Sequence, residues 1–226
     1  RALVCGVVYT MIGARMANMA IGHLLRGELK EELPRYAYQR RRWEKSGKSN
    51  TMLAAQTEVL AQGAFNASFL AMPAFIIASN PSHNVSLLEW IGLGIWVLSF
   101  VFEELSDRQK REWIKRQKEL GIRDGVCDLG LWAYSRHPNY FGQWMGWNGF
   151  IIAAIPSWLA LYEVEHFLIW IGLGVGTTGV SYVMYNTHVY YSGAVPAENY
   201  SIKKRPAFAE YQKRVSRFVP RRPARP

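Results

Sequence analysis

Tyr134-Ser135-Arg136-His137-Pro138-Asn139-Tyr140-Phe141-Gly142-Gln143 stands where a strongly basic part of the chain gives way to an apolar one. Pro138 suits the first position of a helix, where its missing N–H costs little. The amides of Asn139, Tyr140 and Phe141 then lie at a helix N-terminus, a setting that favours an anion. Arg136 and His137 add donors suited to phosphate or carboxylate, and Asn139 and Tyr140 add neutral polar contacts. The stretch reads either as an anion-binding lip at a membrane surface or as a charged boundary that anchors a transmembrane helix among headgroups.

Outward from it, the distribution of charge decides the class of protein. The chain has 226 residues, half of them apolar, and a formal net charge of +10. Of its 27 Lys and Arg residues, all but Arg1 and Arg15 fall in segments 26–48, 108–136 and 203–225. Between these lie long runs almost free of Lys and Arg, the pattern of a multi-pass membrane protein under the positive-inside rule. Nucleic acid is therefore not an expected partner, and membrane lipid is. The endoplasmic reticulum, the mitochondrial inner membrane and the bacterial inner membrane all suit such a chain.

The expected architecture is all-α: a polytopic membrane protein of about five transmembrane helices, one domain over 1–226, with an amphipathic C-terminal tail. The spans are Ala2 to Leu25, Thr57 to Ser79 with a kink at Pro73, Leu87 to about Phe102, Asn139 to about Tyr162 interrupted by Pro156, and His166 to Tyr185. An outer N-terminus and an inner C-terminus put the three basic segments on one side. Ser86 and Glu89 read as a capping box. The third helix continues into water to Gly121, a natural C′ residue, with i,i+4 pairs Asp107–Arg111 and Glu112–Arg116. Arg15 within the first span calls for a partner, with Glu58, Glu103 and Glu104 as candidates. Cys5 and Cys127 fall on opposite sides and do not pair, and no metal site is expected. A first residue of Arg rather than Met implies that something preceded it.

Two apparent nucleotide motifs fail on context. Gly47-Lys48-Ser49 lacks the earlier glycine of a phosphate-binding loop. Gly174, Gly176 and Gly179 match G-x-G-x-x-G but have no strand before them. Gly172 and Gly176 read better as a small-xxx-small packing seam. In the tail, Phe208, Tyr211, Val215 and Phe218 recur at roughly helical spacing, as in an interfacial helix. Glu103 and Asp107 share one helix face at the membrane boundary, placed to bond a cofactor's ribose or amide, or to pair with Arg136.

Three blocks carry a family likeness: Glu103 with Asp107-Arg108-Gln109-Lys110, then Gly130-Leu131-Trp132, then Ser135-Arg136-His137-Pro138-Asn139-Tyr140-Phe141-Gly142. Together they resemble the bacterial-type branch of the steroid 5-alpha-reductase C-terminal family. Arg35-Tyr36, Gln62, Pro73 and the ending Tyr211-Gln212 to Pro220 are similar too. Isoprenylcysteine carboxyl methyltransferases share a looser form of the third block. The resemblance implies NADPH held by Glu103, Asp107, Arg136, His137, Asn139 and Tyr140. Its hydride goes to a polarised C=C bond in a lipid-like molecule between the helices. In the methyltransferases a similar mouth holds S-adenosylmethionine by its carboxylate. Two departures stand out. Gln143 replaces a usual Glu, and the short N-terminal part around Arg15 lacks the substrate-orienting Glu and Tyr. Glu58 and Glu103 are then the candidate catalytic acids. A non-catalytic accessory subunit of a larger membrane complex, for example a respiratory one, is the alternative, with other membrane subunits as partners.

Overall fold

A computed structural model describes residues 1–25, 27, 34–47, 50–82 and 84–224, with the side chains of 34–38 outside the description. The Gly47-Lys48-Ser49 stretch falls mostly outside it. Among the described residues there are helices and no strands, apart from one isolated parallel bridge between Ser135 and Ser216. The helices are α1 (Ala2–Leu25), α2 (Pro34–Lys45), α3 (Thr51–Phe65), α4 (Met72–Ser79), α5 (Leu87–Glu119), α6 (Pro138–Ala160), α7 (Phe167–Asn186), α8 (Ala194–Lys204) and α9 (Phe208–Arg214). A π-helical turn at Asn66–Leu70 links α3 to α4, and another at Thr187–Tyr191 follows α7.

Among the described residues, four helical stretches are long and apolar enough to cross a membrane: Ala2–Leu25, Thr51–Ser79, Pro138–Glu163 and Phe167–Lys204. The expected fifth is the front of α5. Its apolar run stops at Glu103 and Glu104, short of the roughly 20 residues that a span needs. The protein is an all-α, multi-pass integral membrane protein.

The chain divides into two compact units, Arg1–Val85 with Ser157–Gly176, and Ser86–Pro156 with Thr177–Pro226. In the first, α1 meets α4: the Cys5 thiol donates to the Ala74 carbonyl at 3.8 Å and the Tyr9 hydroxyl to that of Leu70 at 3.3 Å. The break in this second span lies at the π turn, and Pro73 sits in the opening turn of α4 rather than at a kink inside one helix. Proline is tolerated there because the N–H it lacks has no intrahelical partner. The Trp158 and Trp170 rings stack at 4.4 Å, and each indole N–H donates to the other's carbonyl at 2.9 Å. The glycine seam differs from expectation. Gly172 faces open space, whereas a Cβ on Gly174 meets the Trp158 ring at 2.7 Å and one on Gly176 meets Met72 Sδ at 2.6 Å.

In the second unit the capping box forms, with the Glu89 amide on Ser86 Oγ at 3.2 Å and the Ser86 amide on Glu89 Oε2 at 2.7 Å. Gly121 closes α5 with φ +70°. On the projecting half Arg108 pairs with Glu112 at 2.8 Å and Arg111 with Glu104 at 2.7 Å. These replace the Asp107–Arg111 and Glu112–Arg116 pairs expected from spacing; exposed side chains choose freely because water screens such pairs and each gains little. Helix α6 runs through Pro156 without ending.

What positions the site is the approach of α5 to α6. A Cβ on Gly92 would meet the Ala153 amide nitrogen at 2.4 Å, and one on Gly149 the Gly92 carbonyl at 2.7 Å. Farther along, Gly142 lies against the backbone of Glu103. This glycine face lets α5 run close beside α6, so that Asp107 reaches the first turn of α6. The tail also differs from expectation. Helix α9 is short, and Phe208, Tyr211, Val215 and Phe218 are all buried in the unit rather than turned to lipid.

Candidate functional site

The motif is gripped from two directions. From α5, Gln109 Oε1 accepts the Leu131 amide at 2.9 Å and fills the space beside Gly130, whose φ of +58° suits glycine. Trp132 Nε1 donates to the Ser106 carbonyl at 2.9 Å, and Asn139 Nδ2 to Asp107 Oδ1 at 3.0 Å. The three sequence blocks are thus one piece of structure. From the C-terminal side, the Arg136 amide donates to the Ser216 carbonyl at 2.8 Å and the Arg221 amide to that of Tyr134 at 2.9 Å. Ser135 Oγ donates to the Phe218 carbonyl at 2.8 Å, and the Tyr211 hydroxyl to that of Trp132.

At the centre lies a carboxylate that the sequence did not single out. Glu198 of α8 accepts Arg136 Nε at 2.8 Å and Nη2 at 3.1 Å, the bidentate fork geometry. It also accepts His137 Nε2 at 3.2 Å, Gln212 Nε2 at 2.8 Å and Arg217 Nε at 3.3 Å. Arg136 Nη1 goes to the carbonyls of Gln212 and Val215. Arg136 pairs with Glu198, then, and not with Glu103 or Asp107. Burial pushes the His137 imidazole below its usual range, against the pull of Glu198. A neutral ring donates through Nε2, because a carboxylate only accepts.

Arg136, His137, Asn139 and Tyr140 line one cavity of about 210 Å³. Lys110, Cys127, Trp132, Ser201, Arg205 and Tyr211 complete most of its wall. Asp107 stands one hydrogen bond behind Asn139. Glu103 packs its backbone on Gly142, and Glu58, in the other unit, accepts Gln39 at 3.0 Å and Gln62 at 3.2 Å. Neither glutamate lines the cavity.

The cavity is electropositive. Lys110 Nζ lies 4.4 Å from the Trp132 ring centroid and 5.1 Å from that of Trp113, and burial lowers its pKa, with Arg205 adding to the effect. Among the described residues, neither Lys110 nor Arg205 has a carboxylate partner. Arg205 Nε and Asn139 Oδ1 are buried without a hydrogen bond. Burial raises the Cys127 thiol and the Tyr211 phenol, so both stay protonated at neutral pH. Tyr140 stacks with His137 at 5.3 Å and with His188 at 5.6 Å. Sequence reasoning quoted Lys110 only as part of a motif and missed Arg205 and Glu198. Lys110 sits one turn from Asp107 on α5 and could have been found from that spacing. Nothing local marks Glu198.

A helical membrane protein with a cationic, carboxylate-free cavity at the start of an apolar helix is the class so defined. Residues 1–215 match the family described as "Protein of unknown function (DUF1295)", and the chain belongs to that family, which is steroid 5-alpha-reductase-like in general. A protein of Schizosaccharomyces pombe, itself described as uncharacterized, is 27% identical over 169 residues, 67% of this chain. The chain spans 45% of that relative's length. No solved structure matches.

Proposed function

We propose that the chain is an NADPH-dependent reductase of a polarised C=C bond in a lipid-like molecule, as in the bacterial-type branch of the reductase family. The observation that carries this reading is the pair of cations, Lys110 and Arg205, in the cavity with no carboxylate to neutralise them. A phosphate supplies the missing charge and accepts charge-assisted hydrogen bonds. The Asn139 amide and Tyr140 phenol add neutral contacts beside it. The cavity is smaller than the roughly 300–1,000 Å³ usual for a whole drug-sized ligand. It therefore fits one phosphate-bearing part of a dinucleotide, with the remainder outside. When bound, NADPH supplies hydride to one carbon of the double bond, and the other carbon then takes a proton. The lining holds no carboxyl group. The proton accordingly comes from a phenol, a water, or Glu103 outside it.

S-adenosylmethionine fits less well. Its carboxylate would seek Arg136 and His137, and Glu198 already occupies both.

The test is titration of the purified full chain with NADPH and with S-adenosylmethionine, read by energy transfer from tryptophan and by calorimetry. Saturable NADPH binding that weakens in Lys110→Gln, with NADPH oxidation on adding a lipid enone, supports the reductase. Binding of S-adenosylmethionine alone overturns it in favour of a methyltransferase. Binding of neither favours the accessory subunit of a larger membrane complex.

A further inference from the structure

Glu198 has no capacity left for a ligand. An ionised carboxylate offers about four lone-pair sites, and Arg136, His137, Gln212 and Arg217 bring five donor contacts to it. Its side chain is 3% exposed. Whatever Glu198 does, it does through other residues.

Those residues fasten a strap, residues 205–221. The strap supplies Arg205, Phe208 and Tyr211 to the cavity wall. Phe218 wedges it in place, with ring contacts to Phe141 at 5.8 Å, Trp144 at 5.7 Å and Tyr185 at 5.3 Å. The family match ends at residue 215, yet backbone bonds from the motif continue to Ser216 and Arg221.

We propose that Glu198 is a positioning residue: it serves as the site's resident anion, neutralises Arg136 and holds the strap as a cavity wall, leaving the ligand's phosphate to Lys110 and Arg205. This rests on reading the cavity as the cofactor site. Arg136 is then a tie and not a phosphate clamp. Removing one partner of a buried pair strands the other charge, whereas removing both does not.

The experiment is a double-mutant cycle on the full chain in nanodiscs. Its readouts are NADPH affinity and hydrogen exchange of residues 205–221. Glu198→Gln and Arg136→Gln should each weaken NADPH binding by about tenfold or more and speed strap exchange, because each leaves an unpaired buried group. The double variant should recover to within about threefold of the parent in both readouts, as a coupled pair does. A double variant with a protected strap that binds NADPH as weakly as Arg136→Gln shows that Arg136 touches the ligand, and overturns the proposal. So does Glu198→Gln with both readouts unchanged. A parent protein that does not bind NADPH sinks the cofactor reading alone. The exchange arm still decides the positioning role, and equal strap exchange in all four proteins overturns it. Should the buried variants not fold, Arg217→Gln, at a half-exposed side chain, should speed strap exchange by about two- to fivefold, and no change there overturns the proposal.

Discussion

Asn139 gives its amide N–H to Asp107 across the α5–α6 boundary at 3.0 Å, while its own Oδ1 is buried with no partner. One side chain thereby fixes the first turn of α6 and still has an acceptor to satisfy. Asn139→Asp places two carboxylates face to face. We expect it to lose about 1–3 kcal/mol of stability, the cost of an unmade buried bond, read as a lower thermal midpoint in detergent. Asn139→Ala should lose the tie to α5 without that repulsion, and should lie between the two.

The close approach of α5 to α6 makes a sharper prediction. Gly92→Ala and Gly149→Ala each drive a methyl group into backbone. Overpacking of this kind costs typically about 1–3 kcal/mol. Gly172→Ala meets nothing within 4 Å and should be neutral or slightly stabilising, since Ala is the better helix former. Equal thermal midpoints for all three would show that this seam does not set the helix spacing.

His137 sets a pH dependence. Its folded pKa lies below the unfolded value of about 6.5 because burial disfavours the imidazolium, with Glu198 opposing and Arg136 and Lys110 adding to the depression. The unfolded chain therefore binds more protons around and below pH 6.5, and stability rises with pH there. The stabilisation is present above pH 6.5 and is lost as pH falls towards the folded pKa. Thermal midpoints from pH 7.5 to 5 should fall more steeply in the parent than in His137→Gln.

Lys110 gives the opposite edge. Desolvation lowers its pKa below the usual value near 10.4, so its charge fades earlier than that of a surface lysine. NADPH affinity should decline through the alkaline range in the parent and stay flat in Lys110→Arg. Lys110→Gln should weaken binding roughly ten- to a hundred-fold, the loss of one charge-assisted contact. The proteins' tryptophan-to-NADPH energy transfer reports both.

Topology is open to direct labelling. With Cys5 and Cys127 both buried and free, Lys45→Cys, Arg116→Cys and Lys204→Cys should all react with an impermeant maleimide from the same side of oriented vesicles if the front of α5 adds a fifth, short crossing. With the four long stretches alone, Lys45→Cys labels from the side opposite the other two. A single site that labels from the other side breaks the single-face arrangement of the basic segments.

How much of this was legible depended on the range of each interaction. Ser86 and Glu89 are three residues apart, and Gly121 needs only its own φ, so both ends of α5 could be read directly. The motif at Arg136 was recognisable, and four of its residues do share a cavity. Glu198 was not recognisable. Its partner Arg136 lies 62 residues away, and a lone Glu in a polar tail looks like a solvated one. Gly92 and Gly149 were hidden in apolar runs where any small residue looks alike, while the more conspicuous Gly172 faces open space. The tail's apolar stripe was visible, but its burial against Trp132 and Ser135 depends on tertiary contacts no periodicity encodes.

The parallel bridge between Ser135 and Ser216 has a consequence for the order of events during synthesis. Arg136 emerges 79 residues before Val215, one of its carbonyl partners. At roughly 5–20 residues per second, that separation corresponds to about 4–16 s of translation. Throughout that interval the guanidinium has neither the late carbonyls nor, at first, Glu198, and helix α6 reaches the bilayer before its own N-terminal turn is fastened. Insertion precedes completion: the membrane part is laid down first, and the cavity closes only when residues 205–221 fold back to meet the motif.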